Sequence, residues 1–480
     1  MVSPTIFRIP LSRIQGRLDA PANTATQVLR SKTYKNVAFS KVAAINPRND
    51  WLEVTDEMDL SFVPMEAVDE YAGAITSKQT RNAGASKGYT KFQQNDILWA
   101  KITPCMQNGK AAIAENLTNG LGFGSTEFHV FRVNPEVANA KYVHTLLRLE
   151  RLRAEAKKFF SGSAGHQRVD EAFFKKLLIP LPPLNIQEQV AMAITAAYVR
   201  KEELEAAATQ LLAKVRDVMY RELGLPRIVM GPMPIIERVF LVAGSRLSGN
   251  IFDPKTHAPR SVALLESLTH SKFPTAQLRE VITHRMAGDW GEDEGFSDGS
   301  DEYERRLVIR GTEFDNELNL RIENGREKFR NVKLEKLIRM QVEVGDILIE
   351  KSGGSPDQPV GRVAILEDAL LDSQSICYSN FVEKIKPDPA KVLPAYLFHY
   401  LRFVHAIGVT DLLQSQTNGI RNLMIHRYLG LPVSLPKLAK QAEIVAEINA
   451  LQSEAIALRA KAKEVLDSAK HDVEKMILGD

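Results

Sequence analysis

Residues 440–477 read KQAEIVAEINALQSEAIALRAKAKEVLDSAKHDVEKMI, a stretch without proline or glycine. Apolar side chains recur in it at two heptad positions, which are Ile444, Leu451, Leu458 and Val465 at the first and Ile448, Ala455, Ala462 and Ala469 at the second. A sustained seven-residue period indicates a helix that packs along a coiled-coil seam, because the face of an isolated helix drifts away from that period. The sequence therefore predicts one long helix over Lys440 to Ile477.

A second stretch with the same properties covers Ile186 to Leu223. Each stretch follows a junction that contains proline, Leu181-Pro-Pro-Leu in the first and Leu435-Pro-Lys-Leu in the second, where proline ends the preceding element. The predicted seam of the first helix consists of Val190, Ile194, Ala197, Leu204, Ala208, Leu211, Val215 and Val218, interrupted by Lys201. Because both helices belong to one chain, we expect them to pair with each other. The alternative is that each apolar stripe packs on its own domain.

The chain also repeats itself over a much longer period. Residues 142–223 align without a gap on residues 396–477, at a constant shift of 254 residues. Identical residues in this alignment include Tyr142, Leu147, Arg148, Ser161, Gly165, Leu177, Leu181, Pro182, Gln187 and Ile194. Further upstream, Gly109-Lys-Ala-Ala-Ile resembles Gly361-Arg-Val-Ala-Ile. A period of this length indicates two copies of a whole domain, since solenoid repeats are about 20 to 50 residues long.

Each copy begins with short apolar runs broken by turn residues and ends in helical patterns, which indicates strands followed by helices. The predicted fold class is α+β, in which two tandem, pseudo-symmetric α/β-containing domains are joined by two long antiparallel coiled-coil helices. A helix of this length spans roughly 55 Å. The predicted segments are residues 1–184 for the first domain, 185–224 for the central helix, 225–438 for the second domain and 439–480 for the C-terminal helix.

Composition excludes several classes of protein. The net charge is only +3, which argues against a protein that packages DNA in bulk and confines any DNA-binding surface to local patches. Cys105 and Cys377 lack further ligands at metal-binding spacing, so neither a zinc site nor a disulfide framework is expected. No apolar run reaches the roughly 18 to 20 residues of a membrane span. We therefore expect a cytoplasmic protein without a bound metal.

Catalytic motifs are also missing from the sequence. An amino-methyltransferase would need an Asn/Asp-Pro-Pro-aromatic motif with a glycine-rich cofactor loop, and Leu181-Pro-Pro-Leu has only the prolines. A metal-dependent nuclease would need clustered carboxylates with a lysine, and Glu155-Ala-Lys157 lies in a helical pattern that is typical of solvated surface. No catalytic residue is predicted.

Several motifs together resemble the specificity subunit of type I restriction-modification systems. They are Asp96-Ile-Leu-Trp-Ala-Lys-Ile-Thr-Pro-Cys-Met-Gln-Asn-Gly-Lys, Gly122-Phe-Gly-Ser-Thr-Glu-Phe-His-Val, and Ile179-Pro-Leu-Pro-Pro-Leu followed by Gln187-Glu-Gln, with a second copy of that junction. The second domain departs from the pattern at Gly353-Gly-Ser-Pro-Asp-Gln-Pro and lacks a clear Gly-Ser-Thr-Glu-Phe equivalent. Such divergence is expected where two domains read different sequences.

The resemblance implies a non-catalytic subunit whose two target-recognition domains read a split sequence in double-stranded DNA. It also implies two modification (methyltransferase) subunits as partners, which would methylate adenine with S-adenosylmethionine, so that this chain itself binds no cofactor. Restriction subunits would be further partners. The two long helices would set the gap between the half-sites and dock the methyltransferase subunits.

The candidate DNA-binding residues are polar or cationic side chains of loops, turns and strand ends, because arginine, lysine, asparagine and glutamine make the common contacts to base edges and phosphates. They are Arg81, Lys87, Lys91, Lys101, Gln107, Asn108, Lys110, Gln167 and Arg168 in the first domain and Lys351, Arg362, Gln416, Asn418, Arg421 and Asn422 in the second. For each, an ordinary solvated surface or a strand-reversing turn is the structural alternative. The acidic stretch Asp289 to Glu304 is expected to form a mobile loop.

Other functions stay open at this stage. The chain could serve a different methyltransferase-linked defence system as its specificity subunit. A self-contained methyltransferase or nuclease is disfavoured by the missing motifs. A coiled-coil scaffold that never contacts DNA would be indicated by neutral surfaces around the polar loops.

Overall fold

The computed structural model describes residues 29–48, 54–162, 166–231, 234, 238–244, 253–296, 302–314, 320–322, 325–354, 358–417 and 420–479. The chain divides into two compact units. The first unit consists of Met1–Glu205 together with Arg459–Asp480, and the second of Ala206–Leu458. Each unit therefore contains one sheet-bearing region and a part of each long helix.

The first half of the chain contains twelve strands and five α-helices within the described residues. The strands are β1 (Asn36–Ala38), β2 (Ala43–Ile45), β3 (Asp59–Val63), β4 (Gln79–Asn82), β5 (Thr90–Gln93), β6 (Ile97–Ala100), β7 (Ala111–Ile113), β8 (Leu121–Gly124), β9 (Phe128–Val133), β10 (Phe160–Ser161), β11 (Arg168–Val169) and β12 (Leu178–Pro180). The helices are α1 (Cys105–Asn108), α2 (Ala140–Arg148), α3 (Glu150–Lys157), α4 (Glu171–Lys176) and α5 (Leu184–Leu223).

The second half repeats this series with small variations. Its helices are α6 (Pro254–His257), α7 (Pro259–Ser267), α8 (Leu334–Met340), α9 (Asp368–Ser373), α10 (Pro394–Ala406), α11 (Ile425–Tyr428) and α12 (Leu438–Leu478). Its strands are β13 (Thr275–Gln277), β14 (Ile282–Ala287), β15 (Glu292–Asp293), β16 (Tyr303–Ile309), β17 (Phe329–Lys333), β18 (Ile347–Glu350), β19 (Ser352–Gly353), β20 (Val363–Ile365), β21 (Ile376–Tyr378), β22 (Val382–Pro387), β23 (Gln414–Thr417), β24 (Ile420–Leu423) and β25 (Pro432–Ser434).

Each unit contains an inner sheet, and the two inner sheets have the same topology. Its strand order is β2-β9-β6-β7 in the first unit and β14-β22-β18-β20 in the second, with antiparallel pairing throughout. The strands β6 and β18 lie inside these sheets and are buried along their whole length. Short continuous apolar runs suit such strands, because both faces are covered. The predicted α+β class is confirmed in both halves.

An outer sheet accompanies the inner one in each unit. Its order is β4-β3-β8-β5 in the first unit and β15-β17-β16-β21 in the second. Each outer sheet contains one parallel pair, β3 with β8 and β16 with β21, among otherwise antiparallel neighbours. The repeat that the sequence predicts therefore extends to sheet topology, although β5 lies at one edge in the first unit only and β15 lies at the opposite edge in the second unit only.

The two long helices contain 40 and 41 residues, respectively, and run antiparallel, because opposite ends of the two share each core. In the first unit, the start of α5 shares a hydrophobic core with the end of α12, through Val190 and Val473 among others. In the second unit, the end of α5 shares a core with the start of α12, through Val218 and Ile444. All sixteen predicted seam residues are buried or partly buried. Apolar heptads thus coincide with the faces that the helices bury.

A buried glutamine fixes the start of α5 in the first unit. Gln187 is 0% exposed, and its side-chain oxygen accepts a hydrogen bond from the backbone N–H of Asn139 at 2.8 Å. Its side-chain nitrogen donates to the carbonyl oxygen of Pro182 at 2.9 Å. Nearby, the Tyr142 hydroxyl donates to the carbonyl oxygen of Pro180 at 2.7 Å. These bonds tie the proline junction, the helix α2 and the helix α5 together.

The second unit repeats this junction bond for bond. Gln441 is also 0% exposed, accepts from the backbone N–H of Leu393 at 2.8 Å and donates to the carbonyl oxygen of Pro436 at 2.9 Å. The Tyr396 hydroxyl donates to the carbonyl oxygen of Ser434 at 2.7 Å. Buried polar groups are costly unless they are paired, so these side chains are part of the fold and not of a binding surface.

Part of the acidic stretch, which the sequence predicts to be a loop, lies in strands: Glu292 and Asp293 form β15, and Tyr303 begins β16. Asp293 lies in β15 and forms an ion pair with Arg330 of β17. Glu294 forms an ion pair with Arg305 of β16 at 2.7 Å. The partner arginines lie in the inner strands β16 and β17, more than ten residues further along the chain, so a local sequence pattern does not indicate these pairs.

Replacing Gln187 by leucine should lower the free energy of unfolding of the first unit by roughly 2 to 5 kcal/mol, because a buried N–H and a buried carbonyl would lose their partners. The matched control is Gln189→Leu, since Gln189 is exposed on the same helix. Urea unfolding and hydrogen exchange of the Asn139 amide would measure the effect. Equal stability of the two variants would contradict this account of the junction.

Candidate nucleic-acid interface

Two segments that were predicted separately lie side by side in the first unit. After β6, the carbonyl oxygen of Lys101 accepts a hydrogen bond from the backbone N–H of Val169 at 2.9 Å. The next residue, Ile102, pairs with Arg168 in an isolated antiparallel bridge. Thr103 then donates its N–H to the carbonyl oxygen of Gln167 at 3.0 Å. The strand end and the β10–β11 hairpin therefore form one continuous edge.

The second unit brings the corresponding segments together. The carbonyl oxygen of Lys351, which follows β18, accepts a hydrogen bond from the N–H of Leu423 at 2.8 Å. Ser352 pairs with Asn422, and Gly353 pairs with Arg421. We call these two edges hairpin edge 1 (residues 101–103 with 166–169) and hairpin edge 2 (residues 351–353 with 420–423). Lys101, Gln167 and Arg168 therefore lie together in hairpin edge 1. Lys351, Arg421 and Asn422 lie together in hairpin edge 2.

A carboxylate holds the arginine of hairpin edge 1. The side chain of Arg168 is 44% exposed and forms a fork with Glu127, through Nε to Oε2 at 2.8 Å and Nη2 to Oε1 at 2.7 Å. This hydrogen-bonded fork lowers the pKa of the Glu127 carboxyl below its ordinary value, against the opposing effect of partial burial. The pair is ionised at neutral pH, and the guanidinium is held in a fixed orientation.

A buried histidine holds the hairpin strand. His129 of β9 has Nε2 2.8 Å from the carbonyl oxygen of Val169, and its Nδ1 lies 3.1 Å from the side-chain nitrogen of Asn46. Burial lowers the pKa of His129, which keeps the imidazole neutral. The hydrogen bond to Val169 assigns the proton to Nε2, so His129 acts as a structural donor under the hairpin.

Hairpin edge 2 is also charge-balanced. The ammonium of Lys351 lies 3.1 Å from Glu383, which also accepts from Arg285 at 3.1 Å. Arg421 lies 3.2 Å from Asp411. Each predicted cation of this edge thus faces a carboxylate of its own unit. Gln416 lies in β23 and pairs with Arg421 across the hairpin, whereas Asn418 lies outside the described residues.

Most residues of the turn at 107–110 make contacts within the first unit. Gly109 has a φ of 88° and closes α1 in the left-handed conformation that favours glycine. The carbonyl oxygen of Gln107 accepts from Arg153, and the side chain of Gln107 is bonded to Thr103. Lys110 reaches the carbonyl oxygen of Met65 at 3.4 Å, while Asn108 is exposed. Asn108 is therefore the residue of this turn that faces solvent.

The remaining candidates of the first unit lie on or beside its outer sheet. The guanidinium of Arg81 lies over the Phe62 ring, 3.6 Å from its centroid. Tyr89 is 40% exposed and packs edge-on against the same ring at 5.2 Å. Lys87 is exposed and Lys91 is partly buried. A stacked arginine beside an exposed tyrosine can contact a sugar-phosphate backbone or an unstacked base.

Sequence reasoning missed a comparable pair in the second unit. Arg305 of β16 lies over the ring of Phe329 in β17, 3.7 Å from its centroid. Arg330 lies 4.7 Å from the centroid of the Trp290 ring. The signal available in the sequence was the alternation of arginine with aromatic residues near strands, which is weak without knowledge of which strands are neighbours.

Arg362 does not lie on a DNA-facing surface, and its prediction as a DNA contact needs correction. It is 9% exposed, and its guanidinium donates twice to the buried carboxylate of Glu350 and also to the carbonyl oxygens of Gly311 and Phe314. Its correspondence with Lys110 suggests a shared role. The guanidinium of Arg362, however, points into the unit, where its hydrogen bonds link the inner sheet to the outer sheet. Arg362 is a core residue of the second unit.

Neither a metal site nor a membrane span is found in the described part of the chain. Among those residues, no group of three or more histidine, cysteine, aspartate or glutamate side chains has the arrangement to bind a metal ion. No helix among them combines the length and apolar character that crossing a membrane requires.

Comparison with known proteins identifies a specificity domain within the chain. Residues 47–213 match the family model described as the type I restriction modification DNA specificity domain. The specificity subunit of the type I restriction enzyme EcoAI from Escherichia coli is 36% identical over 168 residues, which is 35% of this chain and 28% of that protein. The corresponding EcoEI subunit from the same organism is 35% identical over 171 residues, with the same shares. The matched part thus spans little more than a quarter of these relatives.

A solved structure matches almost the whole chain. Its title is "Structural basis underlying complex assembly and conformational transition of the type I R-M system", and it aligns with 93% of this chain and 97% of its own, at a TM-score of 0.53 and 18% identity. At this identity the match shows a shared fold. The family model and the two relatives confirm the predicted resemblance to type I specificity subunits.

The fork with Glu127 predicts a measurable effect of Arg168 on its titration. Carboxyl ¹³C NMR of glutamate-labelled protein should show a pKa for Glu127 below the ordinary value, which rises in Arg168→Ala because the cation that favours the ionised form is gone. The pair should stabilise the fold above the ordinary glutamate pKa, and this contribution should fade as the pH falls through the lowered pKa. Lys158→Ala, which removes an exposed cation of the same unit, should leave the Glu127 titration unchanged.

Loss of the Arg362 side chain should mainly affect stability. Arg362→Ala leaves the buried Glu350 carboxylate unpaired, which should cost roughly 3 to 5 kcal/mol of unfolding free energy. The control is Arg339→Ala, because Arg339 is 66% exposed in the same unit and should be near neutral. Urea unfolding would measure both. A stable Arg362→Ala protein with weakened DNA binding would contradict this structural role and support the prediction that Arg362 contacts DNA.

Proposed function

We propose that this chain, which carries a type I restriction-modification DNA specificity domain, is the DNA sequence-specificity subunit of a type I restriction-modification complex. The observation that supports this most is the duplication of one hairpin edge in two α+β units. Two similar but chemically different edges suit a target with two different half-sites, since half-site arrangement mirrors the arrangement of the reading elements. The two relatives, which each match 35% of the chain, carry the name of specificity subunits.

In this proposal the chain itself is not an enzyme. It recognises double-stranded DNA with a split target, and two methyltransferase subunits that dock on it methylate adenine with S-adenosylmethionine, which they and not this chain bind. Restriction subunits complete the assembly. The charge balance of the hairpin edges supports recognition of bases through a few oriented side chains over general attraction to phosphates.

The long helices supply surface for these subunits. Apolar side chains outside the seam remain exposed on them, including Met192 at 65% and Val199 at 51% on α5 and Ile456 at 50% on α12. Met192 and Val199 are seven residues apart, so they lie on one stripe of the helix. An exposed apolar stripe beside a buried seam supports a docking role for the helices.

Methylation mapping tests the function directly. DNA from cells that express this chain with its neighbouring methyltransferase would be compared with DNA from cells that lack only this chain. We expect one split adenine motif to disappear without the chain, because the methyltransferase would lose its sequence reader. An unchanged methylation pattern in cells that contain active methyltransferase would reject the proposal.

A further inference from the structure

We infer that one hairpin position reads a base in each half-site: Arg168 contacts a guanine and Asn422 contacts an adenine. This inference rests on the proposed function and names the bases that the two units distinguish. The two residues are equivalent by sequence, since they are 254 positions apart in the gap-free repeat. They are equivalent by structure as well, because Ile102 pairs with Arg168 as Ser352 pairs with Asn422.

Arg168 is oriented for a two-point contact. Glu127 occupies Nε and one N–H of Nη2, and the carbonyl oxygen of His166 accepts from Nη1 at 3.0 Å. Among the residues that the structure describes, these are the partners of Arg168, which leaves one N–H group on each terminal nitrogen. A pair of parallel N–H groups matches O6 and N7 of guanine in the major groove.

Asn422 is oriented by a neighbouring hydroxyl. The Ser352 hydroxyl donates to the Asn422 side-chain oxygen at 2.6 Å, which identifies that atom as the acceptor and leaves it a second lone pair. In the described part of the chain, no acceptor contacts the side-chain nitrogen. A carboxamide with one acceptor and one donor available matches N6 and N7 of adenine.

The local charge favours a base over a phosphate at both positions. The Glu127 carboxylate compensates the charge of Arg168 and would repel a phosphate that approached the fork. Asn422 carries no charge to attract one. A base edge is neutral and offers the directional acceptors and donors that these oriented side chains require, so the pairing of each reader with a supporting side chain fits base recognition.

Glu127 is therefore a positioning residue for Arg168, and Ser352 has the same role for Asn422. A supporting side chain fixes the plane of the reader before DNA arrives, which reduces the entropy lost on binding. Different readers at one equivalent position also account for how two copies of a domain come to recognise different half-sites.

The test uses variants of the full complex. It measures how strongly each variant discriminates between the four bases at each position of the mapped target. In the Arg168→Lys variant, which keeps the charge and loses the fork, discrimination at one G·C pair of one half-site should fall roughly 10- to 100-fold. In Asn422→Ala, discrimination at one A·T pair of the other half-site should fall by a similar factor. Binding to duplexes with each substituted base and methylation maps of the variants would both measure this.

Matched controls and a second variant keep the test decisive. Lys158→Ala and Arg339→Ala remove exposed cations of the same two units and should leave both half-sites intact. Retained reading of the other half-site shows that a variant complex is assembled. If Arg168→Lys fails to assemble, Arg168→Gln replaces it and should shift the preferred base from guanine toward adenine.

Several outcomes would overturn the inference. Equal weakening at all positions would make Arg168 a phosphate contact, and a first-domain half-site without any G·C pair would exclude the guanine assignment. Unchanged discrimination in both variants would exclude the position from base reading. In each of these cases the wild-type chain still directs a split motif, so the proposed function stands. If the wild-type chain directs no motif, both the proposed function and the base assignments fail.

Discussion

The buried amides of Gln187 and Gln441 anchor the rest of this structure. Each glutamine lies in the first turn of a long helix. Its side chain accepts a hydrogen bond from a backbone N–H of its domain and donates one to a carbonyl oxygen of its proline junction. Without such bonds each helix could pack on its domain at several rotations about its own axis, since apolar contacts alone are not directional. The bonds fix which face of each helix carries the seam, and hence where the sheets and the hairpin edges lie relative to the helix within each unit.

Electrostatic balance is the second theme of the molecule. The candidate cations of both hairpin edges face carboxylates, as in Arg168 with Glu127 and Lys351 with Glu383, and the basic strands of one outer sheet face an acidic segment. This pairing is why a chain with several candidate DNA-contacting cations has a net charge of only +3. Paired cations attract DNA weakly at a distance, and they act through orientation when a matching base edge is close.

Sequence reasoning identified the hairpin residues and the strand-end lysines but misjudged two features of the second domain. The alignment of Arg362 with Lys110 predicts a DNA-contacting cation, whereas its guanidinium binds the buried Glu350. The acidic segment is predicted to be a loop, whereas Asp293 lies in β15 and pairs with Arg330 of β17, and Glu294 pairs with Arg305 of β16. Both errors have one cause. The partner of a charged side chain decides whether it is buried or solvated, and that partner lies far away in sequence.

The sequence by itself determined the α+β class, the two copies and the two long helices, because heptads and a gap-free repeat are periodic signals that need no knowledge of distant contacts. The shared hydrophobic cores confirm that the helices run antiparallel. Only the tertiary structure decided the composition of each hairpin edge. The backbone bond from Val169 to Lys101 joins residues 68 positions apart, and the bond from Leu423 to Lys351 joins residues 72 apart. Such long-range pairing follows from how the sheets close, and it gives Arg168 and Asn422 their common position beside a strand end.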